Sequence, residues 1–238
     1  NMREVFSSSW IVWLDESMSI WFTKWTCPGW VFCPRKPHPF GNEYHSSCCG
    51  TSGIMFAIEM VEGKDHPKEV PTDPTNEKGN TVGLLLRMCS SIYNSGRVVI
   101  LDSGFCVLQG LIELRKVGVY ASAVIKKRRY WPKYCPGKAM DQRMASKDIG
   151  DTDCIEGKLD ETNYCLYMMK EPDFVMKMMA TYGALNPFPD EKDSTRYYMK
   201  DGNKVTKTFK FTEPYSNYYR FRHAVDDHNN LRHQVPSI

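Results

Sequence analysis

Two short runs of β-branched and aromatic residues each finish in an aspartate, and this feature constrains the fold of the 238-residue chain more than any other. The first is Ser9-Trp10-Ile11-Val12-Trp13-Leu14, followed by Asp15; the second is Arg97-Val98-Val99-Ile100-Leu101, followed by Asp102. Apolar runs of this length without alternation read as strands covered on both faces. Near the second run lie segments of helical period. Over Thr81 to Tyr93 the apolar residues Val82, Leu85, Leu86, Cys89 and Ile92 recur at three- and four-residue spacing, with Asn80 as the expected cap and Asn94-Ser95-Gly96 as the stop. Gln109 to Lys116 reads as a second helix closed by Gly118, and Val119 to Ile125 as a further strand. Strands alternating with helices imply parallel neighbours and right-handed crossovers. The expected fold class is therefore α/β, and in an open α/β sheet functional groups gather at the carboxyl ends of the strands.

The remaining segments are less regular. A loop rich in proline, glycine and aromatic residues spans Thr26 to Phe40, and a hairpin is expected from Glu43–Cys49 and Ile54–Met60 around a turn at Gly50 to Gly53. Glu62 to Gly79 is polar and broken by proline and glycine, so it reads as a surface loop. Beyond Ile125 the composition shifts to basic, Met- and Tyr-rich sequence, with strands expected at Asn163–Met169 and Val205–Phe211. This reads as an insertion with its own small sheet, dividing the chain into a core of residues 1–128 and 214–238 and an insertion over 129–213. The methionines Met168, Met169, Met176, Met178 and Met179 read as core filler there. Tyr215 to His233 has a helix-compatible pattern, and neither repeats nor low-complexity tracts occur.

Composition narrows the class of function without choosing one. Hydrophobic residues are 42% and charged residues 25% of the chain, ordinary values for a globular protein. A net charge of +3 permits a phosphate-backbone partner and does not demand one. No apolar run is long enough to span a bilayer, and Asn1-Met2-Arg3-Glu4 opens no signal-peptide core, so no membrane partner and an intracellular setting are expected. The nine cysteines are odd in number and lack paired short spacings, which argues for free, mostly buried thiols over a zinc site.

The chemistry-bearing residues each have a bland reading beside the functional one. An aspartate after a strand serves a turn as readily as a site. Asp226 and Asp227, within Arg222-His223-Ala224-Val225-Asp226-Asp227-His228-Asn229-Asn230, read as a solvated helix face or cap, or as metal ligands if other carboxylates lie near. Lys126-Lys127-Arg128-Arg129-Tyr130-Trp131 pairs four cations with two aromatics, which suits phosphate contact and base stacking, a nuclear-import patch, or a plain solvated loop. Arg35 and Lys36 have the same choice between DNA backbone and solvent. His223, His228 and His233 fall five apart, about 140° off a common helix face, so they form no cluster on a helix. In a strand, Glu16 would face away from Asp15.

Taken together, several passages resemble the piggyBac-type transposase domain. Leu14-Asp15-Glu16-Ser17-Met18-Ser19 resembles its "DESM" opening, and Cys33-Pro34-Arg35-Lys36-Pro37-His38-Pro39-Phe40-Gly41-Asn42-Glu43-Tyr44 resembles its "RKP.P.G.E" passage. Thr51-Ser52-Gly53-Ile54-Met55, Glu59 and Glu62-Gly63-Lys64-Asp65 continue in register. Leu101-Asp102-Ser103-Gly104-Phe105 resembles the signature at the second acid, and Tyr218 to Asn230 the passage of the third, with Ala224-Val225-Asp226 in place of "GVD". The resemblance covers nearly the whole chain.

It implies a ribonuclease-H-like mixed sheet flanked by helices, with the insertion, a small subdomain of mixed α and β or β structure, placed before the last helix. It implies that Asp15, Asp102 and Asp226 bind two magnesium or manganese ions, which three carboxylates can hold about 4 Å apart for phosphoryl transfer. The implied reaction is nicking of double-stranded DNA at transposon ends, then attack of the freed 3′-hydroxyl on target DNA, in the nucleus. Candidate DNA contacts are Arg35, Lys36, Lys126, Lys127, Arg128 and Arg129. Two departures matter. Asn229 stands where the family often has a further acid, with Asp227 nearby. The N-terminal DNA-binding and dimerisation region and the cysteine-rich C-terminal module of such transposases are expected to lie outside this stretch, so a homodimer would form through them. The alternative is a domesticated or decayed relative that binds DNA or a partner without cutting. A generic nuclease of the same fold would need neither the loop after Asp15 nor the large insertion.

Overall fold

In a computed structural model, residues 5–27, 29–34, 36, 39–62, 77–126 and 137–227 are described. The chain divides into two compact units, one of residues 1–100, 117–119 and 221–238 and one of residues 101–116 and 120–220.

The first unit is built around β1 (Ile11–Ile20), which lies between β3 (Phe40–Cys49) and β5 (Val98–Leu101). β2 (Trp30–Phe32) and β4 (Met55–Met60) both pair with β3. The β1–β3 pairing is antiparallel and runs from Val12 opposite Cys49 to Ile20 opposite Gly41. Val98 donates its backbone N–H to the Trp10 carbonyl at 2.8 Å, so β5 starts level with β1 and both strands run on from that point side by side. Neighbours that start together in this way are parallel, which makes the sheet mixed. Ile11, Val12, Trp13 and Leu14 are all buried, as expected of a strand covered on both faces.

β1 nevertheless runs on past Asp15 to Ile20, which corrects the expectation that the acid ends its strand. The polar residues after Leu14 read as a strand end. They stay in the sheet because β3 offers a partner for each of them, and the buried hydroxyls of Ser17 and Ser46 meet at 3.3 Å.

Helix α1 (Asn80–Cys89) buries Val82, Leu84, Leu85, Leu86, Met88 and Cys89 and lies against β3 and β4. Its cap position is Gly79, with no side-chain cap bond, so the expected cap Asn80 is instead the first helical residue. Arg87 fastens the helix to β4 through two bonds to the Glu59 carboxylate, at 2.7 and 2.8 Å. Such a fork supplies geometric specificity as well as energy. Arg97 holds the approach to β1 by bonding the Ser8 and Ser9 carbonyls at 2.9–3.0 Å.

In the second unit, β6 (Tyr120–Val124), β9 (Val175–Ala180), β8 (Thr162–Lys170) and β7 (Thr152–Leu159) pair in that order, all antiparallel. The separate small sheet expected beyond residue 126 is therefore limited to the hairpin of β10 (Asp193–Lys200) and β11 (Asn203–Lys210), because β7–β9 build onto β6. Asp160 and Glu161 both adopt positive φ in the two-residue β7–β8 turn, the twist that tight hairpins require. α2 (Leu108–Lys116) packs on β6 and β8; α3 (Gly137–Arg143) and α4 (Glu213–Phe221) complete the helices. Val124, Tyr167, Met169, Met176, Met178, Ala180, Phe211 and Tyr215 form its core, and Met168 and Met179 are fully buried too. The reading of the five methionines as core filler holds. Among the described residues no helix is long and apolar enough to cross a membrane.

Gly118 tests the first unit's packing. It has φ +73°, and a Cβ there would sit 2.7 Å from the Asn94 Cα. Gly53 has φ +68° with open space around it. Gly53→Ala should cost only backbone strain, about 1–2 kcal/mol. Gly118→Ala should cost clearly more, because backbone must also move. Urea unfolding of the two variants checks this, and equal losses would count against the packing described.

Candidate functional site

Asp15 belongs to the first unit and sits mid-strand in β1 opposite Ser46. Paired residues share a face of the sheet, and so do residues two apart along a strand. Asp15 therefore shares its face with Trp13, Ser17, Ser46 and Cys48. The other face carries Leu14, Glu16, Ser47 and His45, and it is the face α1 covers: Ser47 donates its hydroxyl to the Met88 carbonyl at 3.4 Å. Asp15 thus points to the side opposite α1. It is partly exposed and accepts a bond from the Glu16 N–H at 2.7 Å. Glu16 faces away from Asp15, as expected, and lies 3.4 Å from the Lys36 ammonium, which also donates to the Glu16 carbonyl at 3.3 Å. Lys36, named as a DNA contact, is engaged by its own chain.

Beside Asp15 on that face, burial together with the neighbouring Cys49 and Asp15 charges pushes the Cys48 thiol up to about 12. Adjacent Cys49 points the other way. Burial raises its pKa, but hydrogen bonds with the Ser52, Ser9 and Thr51 hydroxyls and from the Ser9 N–H outweigh that and bring it down to about 6.

Asp102 belongs to the second unit and follows β5 directly, as the expected strand end. It precedes a short 3-10 turn, Ser103–Phe105, closed by the Phe105 N–H on the Asp102 carbonyl at 3.0 Å. Ser103 donates its hydroxyl to the carboxylate at 3.2 Å, and the exposed Lys126 ammonium lies 3.8 Å from it. Burial and the Asp102 charge raise the pKa of Cys106, which is fully buried.

Asp226 lies in a helical turn at residues 224–227 of the first unit. Ala224 and Val225 face inward, while Asp226 is 63% exposed and 3.9 Å from the His223 imidazole. Asp227 is exposed as well.

Asp15 thus lies in β1 and Asp226 in a helical turn, both of the first unit, while Asp102 opens the second unit after β5. Among the described residues, no group of three or more His, Cys, Asp or Glu side chains is gathered to hold a metal ion. All three candidate acids are hard oxygen donors of the type magnesium takes. Arg35, Lys127, Arg128, Arg129, His228 and Asn229 lie outside the described residues. Neighbours that the sequence did not single out are Ser46 and Cys48, which reach the face of Asp15 only through strand register.

A family model described as "Transposase IS4" matches residues 1–237. No curated protein sequence matches the chain. Among solved structures, a piggyBac transposase in a synaptic complex with hairpin DNA superposes with a TM-score of 0.64 at 14% identity. The match covers 94% of this chain and 40% of that one, so the fold is shared and the chain spans less than half the length of that transposase.

The raised Cys48 pKa has a defined consequence for stability. A thiol near 9 when unfolded and near 12 when folded keeps its proton longer in the native state. Its contribution is complete below about pH 9 and is lost as pH rises toward 12, by up to about 1.4 kcal/mol per pH unit. Cys48→Ala should flatten the fall in unfolding free energy between pH 9 and 11. Parallel slopes for the two proteins in denaturant titrations would contradict the environment assigned to Cys48.

Proposed function

The chain belongs to the family described as Transposase IS4, and from that premise we propose that it forms the catalytic core of a piggyBac-type DNA transposase, with Asp15, Asp102 and Asp226 as its metal-binding acids. One observation carries this reading: a transposase family model matches residues 1–237 and the fold is shared with a piggyBac transposase, while β1 contains one aspartate and β5 runs directly into another. Adjacent strands are where a ribonuclease-H-like fold would place its first two acids, and that finer fold assignment is part of the proposal.

When bound, two magnesium or manganese ions would activate the attacking water or 3′-hydroxyl and stabilise the leaving oxygen. The chain's own residues do the holding and orienting. The Glu16 N–H fixes one oxygen of Asp15, and the Ser103 hydroxyl fixes one oxygen of Asp102. Lys126, beside Asp102, offsets its negative charge and lies where it can turn toward a phosphate. Arg35, Lys36, Lys127, Arg128 and Arg129 are the further proposed contacts to double-stranded DNA, whether transposon end or target. Action in the nucleus, and a homodimer formed by regions outside this chain, complete the reading.

A second reading is a transposase relative that binds DNA without cutting it. The exposure of Asp226, 63% open to solvent with the His223 imidazole 3.9 Å away, favours it.

Manganese titration separates the two. A ligand that binds only the folded state at a hundred times its dissociation constant adds about 2.7 kcal/mol. For a chain of this size that raises the melting temperature by roughly 5–10 °C. Asp102→Asn should abolish the rise together with metal-dependent nicking of transposon-end DNA. Duplex binding with neither a rise nor nicking would leave only the second reading, and absence of duplex binding as well would sink both.

A further inference from the structure

The first unit carries an aromatic surface that neither its core nor the acids use. Trp25 is 88% exposed and Phe22 82%, and beside them Trp21, Phe32 and Phe40 are exposed as well. Exposed aromatic residues gathered within one stretch of chain mark interaction sites.

The rings are ordered. Trp21 donates its indole N–H to the Thr26 hydroxyl at 3.0 Å, and Trp30 donates its own to the Trp21 carbonyl at 2.9 Å. The Trp21 backbone N–H bonds the Phe40 carbonyl at 3.2 Å, joining the loop after β1 to the start of β3. Across β2 and β3, Phe32 stacks on Phe40 at 4.9 Å and 22°, and Phe40 on Trp30 at 6.1 Å and 28°. β2 is the terminal strand of its sheet order, so this stack stands at a sheet edge. Lys24 holds its ammonium 5.7 Å over the Trp25 ring. Of the acids in this unit, Glu16 is matched by Lys36 and Glu59 by Arg87, and Glu43 has the His45 imidazole at 3.7 Å.

We propose that this face binds unpaired nucleotides of single-stranded DNA, stacking bases on Phe22, Trp25 and Phe32 while Lys24 meets the backbone phosphate. Flat rings interleaved with a cation at a sheet edge are what sequence-tolerant single-strand binding uses, because every base presents a π-face. The Lys24 ammonium beside the Trp25 ring supplies the charge that a backbone phosphate takes and that a purely apolar partner would leave unused. The choice of a nucleic-acid occupant rests on the transposase reading. The contact itself does not involve the acid triad, and it needs no metal.

The test is therefore run in chelator, where no strand can be cut. A sixteen-nucleotide oligo-dT is titrated into the protein while tryptophan fluorescence and oligonucleotide anisotropy are followed, with a blunt duplex as comparison. Ring-on-base stacking should quench the tryptophans. Trp25→Ala and Phe32→Ala should each weaken oligo-dT binding about tenfold, equivalent to about 1.4 kcal/mol, and leave duplex binding within twofold. Trp25→Phe should keep most of the affinity, and unchanged melting curves would show that the variants are folded. Absence of quenching, or alanine variants that bind oligo-dT like the parent, would overturn the proposal. So would a parent that sediments as a dimer and a Trp25→Ala variant that sediments as a monomer, because a second copy would then occupy the face. A failed manganese titration would count against the acid triad and leave this result standing.

Discussion

Everything in the first unit hangs on the pairing of β1 between β3 and β5. A strand flanked on both sides satisfies its backbone donors and acceptors without water, which allows four consecutive residues, Ile11 to Leu14, to be buried. The same pairing decides where chemistry can go. Once Val12 is opposite Cys49, alternation assigns each later residue to a face, and a slip of one would swap Asp15 with Glu16. Arg97 guards that register at the start of the strand, clamping the Ser8 and Ser9 carbonyls, and the hydrogen-bonded turn between Cys49 and Ile54 guards it at the far end of β3.

The consequence for the site is a division of labour between faces. The face with Leu14 and Ser47 is spent on α1, whose apolar residues and Arg87–Glu59 fork secure it to β3 and β4. The opposite face keeps Asp15 with the small groups Ser17, Ser46 and Cys48. A carboxylate in the middle of a strand costs desolvation unless part of it meets water or a partner. Asp15 retains partial exposure and the Glu16 N–H. Cys48 feels the cost directly, because the nearby negative charge and its own burial resist a second anion.

Much of this was legible in the sequence, and the failures share one physical cause. The runs at Ser9–Leu14 and Val98–Leu101, the hairpin from Glu43 to Met60 and the helix after Asn80 were all readable from residue type and period. These are local properties. Three features were not local. β1 continues through Asp-Glu-Ser because β3 is present to pair with it, and propensity ends it earlier. α1 begins at Asn80 with Gly79 as its cap, because Gly79 adopts φ +92° and no side-chain bond forms. β7, β8 and β9 build onto β6, although a change of composition at residue 126 suggests a separate piece. Composition reports what a segment is made of; strand partners are fixed by long-range packing. For the site, the acids were visible as residues and their faces were not, since a face needs a register. The aromatic loop from Trp21 to Phe32 gave no periodic signal at all.

The treatment of carboxylates across the chain distinguishes structural acids from candidate functional ones. Glu171, almost buried, is held by the Arg196 guanidinium at 2.7 and 3.0 Å, with Phe209, Phe211 and Tyr219 rings around that cation. Glu191 is bonded by Ser216 and Arg220, Glu113 by Gln109 and Lys116, and Glu59 by Arg87. Each of these has a partner at hydrogen-bond distance, as a carboxylate that serves packing needs. Asp102 and Asp226 are different: among the described residues Asp102 takes the Ser103 hydroxyl at 3.2 Å with the Lys126 ammonium at 3.8 Å, Asp226 has the His223 imidazole at 3.9 Å, and both side chains reach solvent. An ion pair that long and that exposed contributes little to stability. Asp102 and Asp226 thus differ from the packing carboxylates in the distance and exposure of their charge partners, which is compatible with the metal-binding role proposed for them.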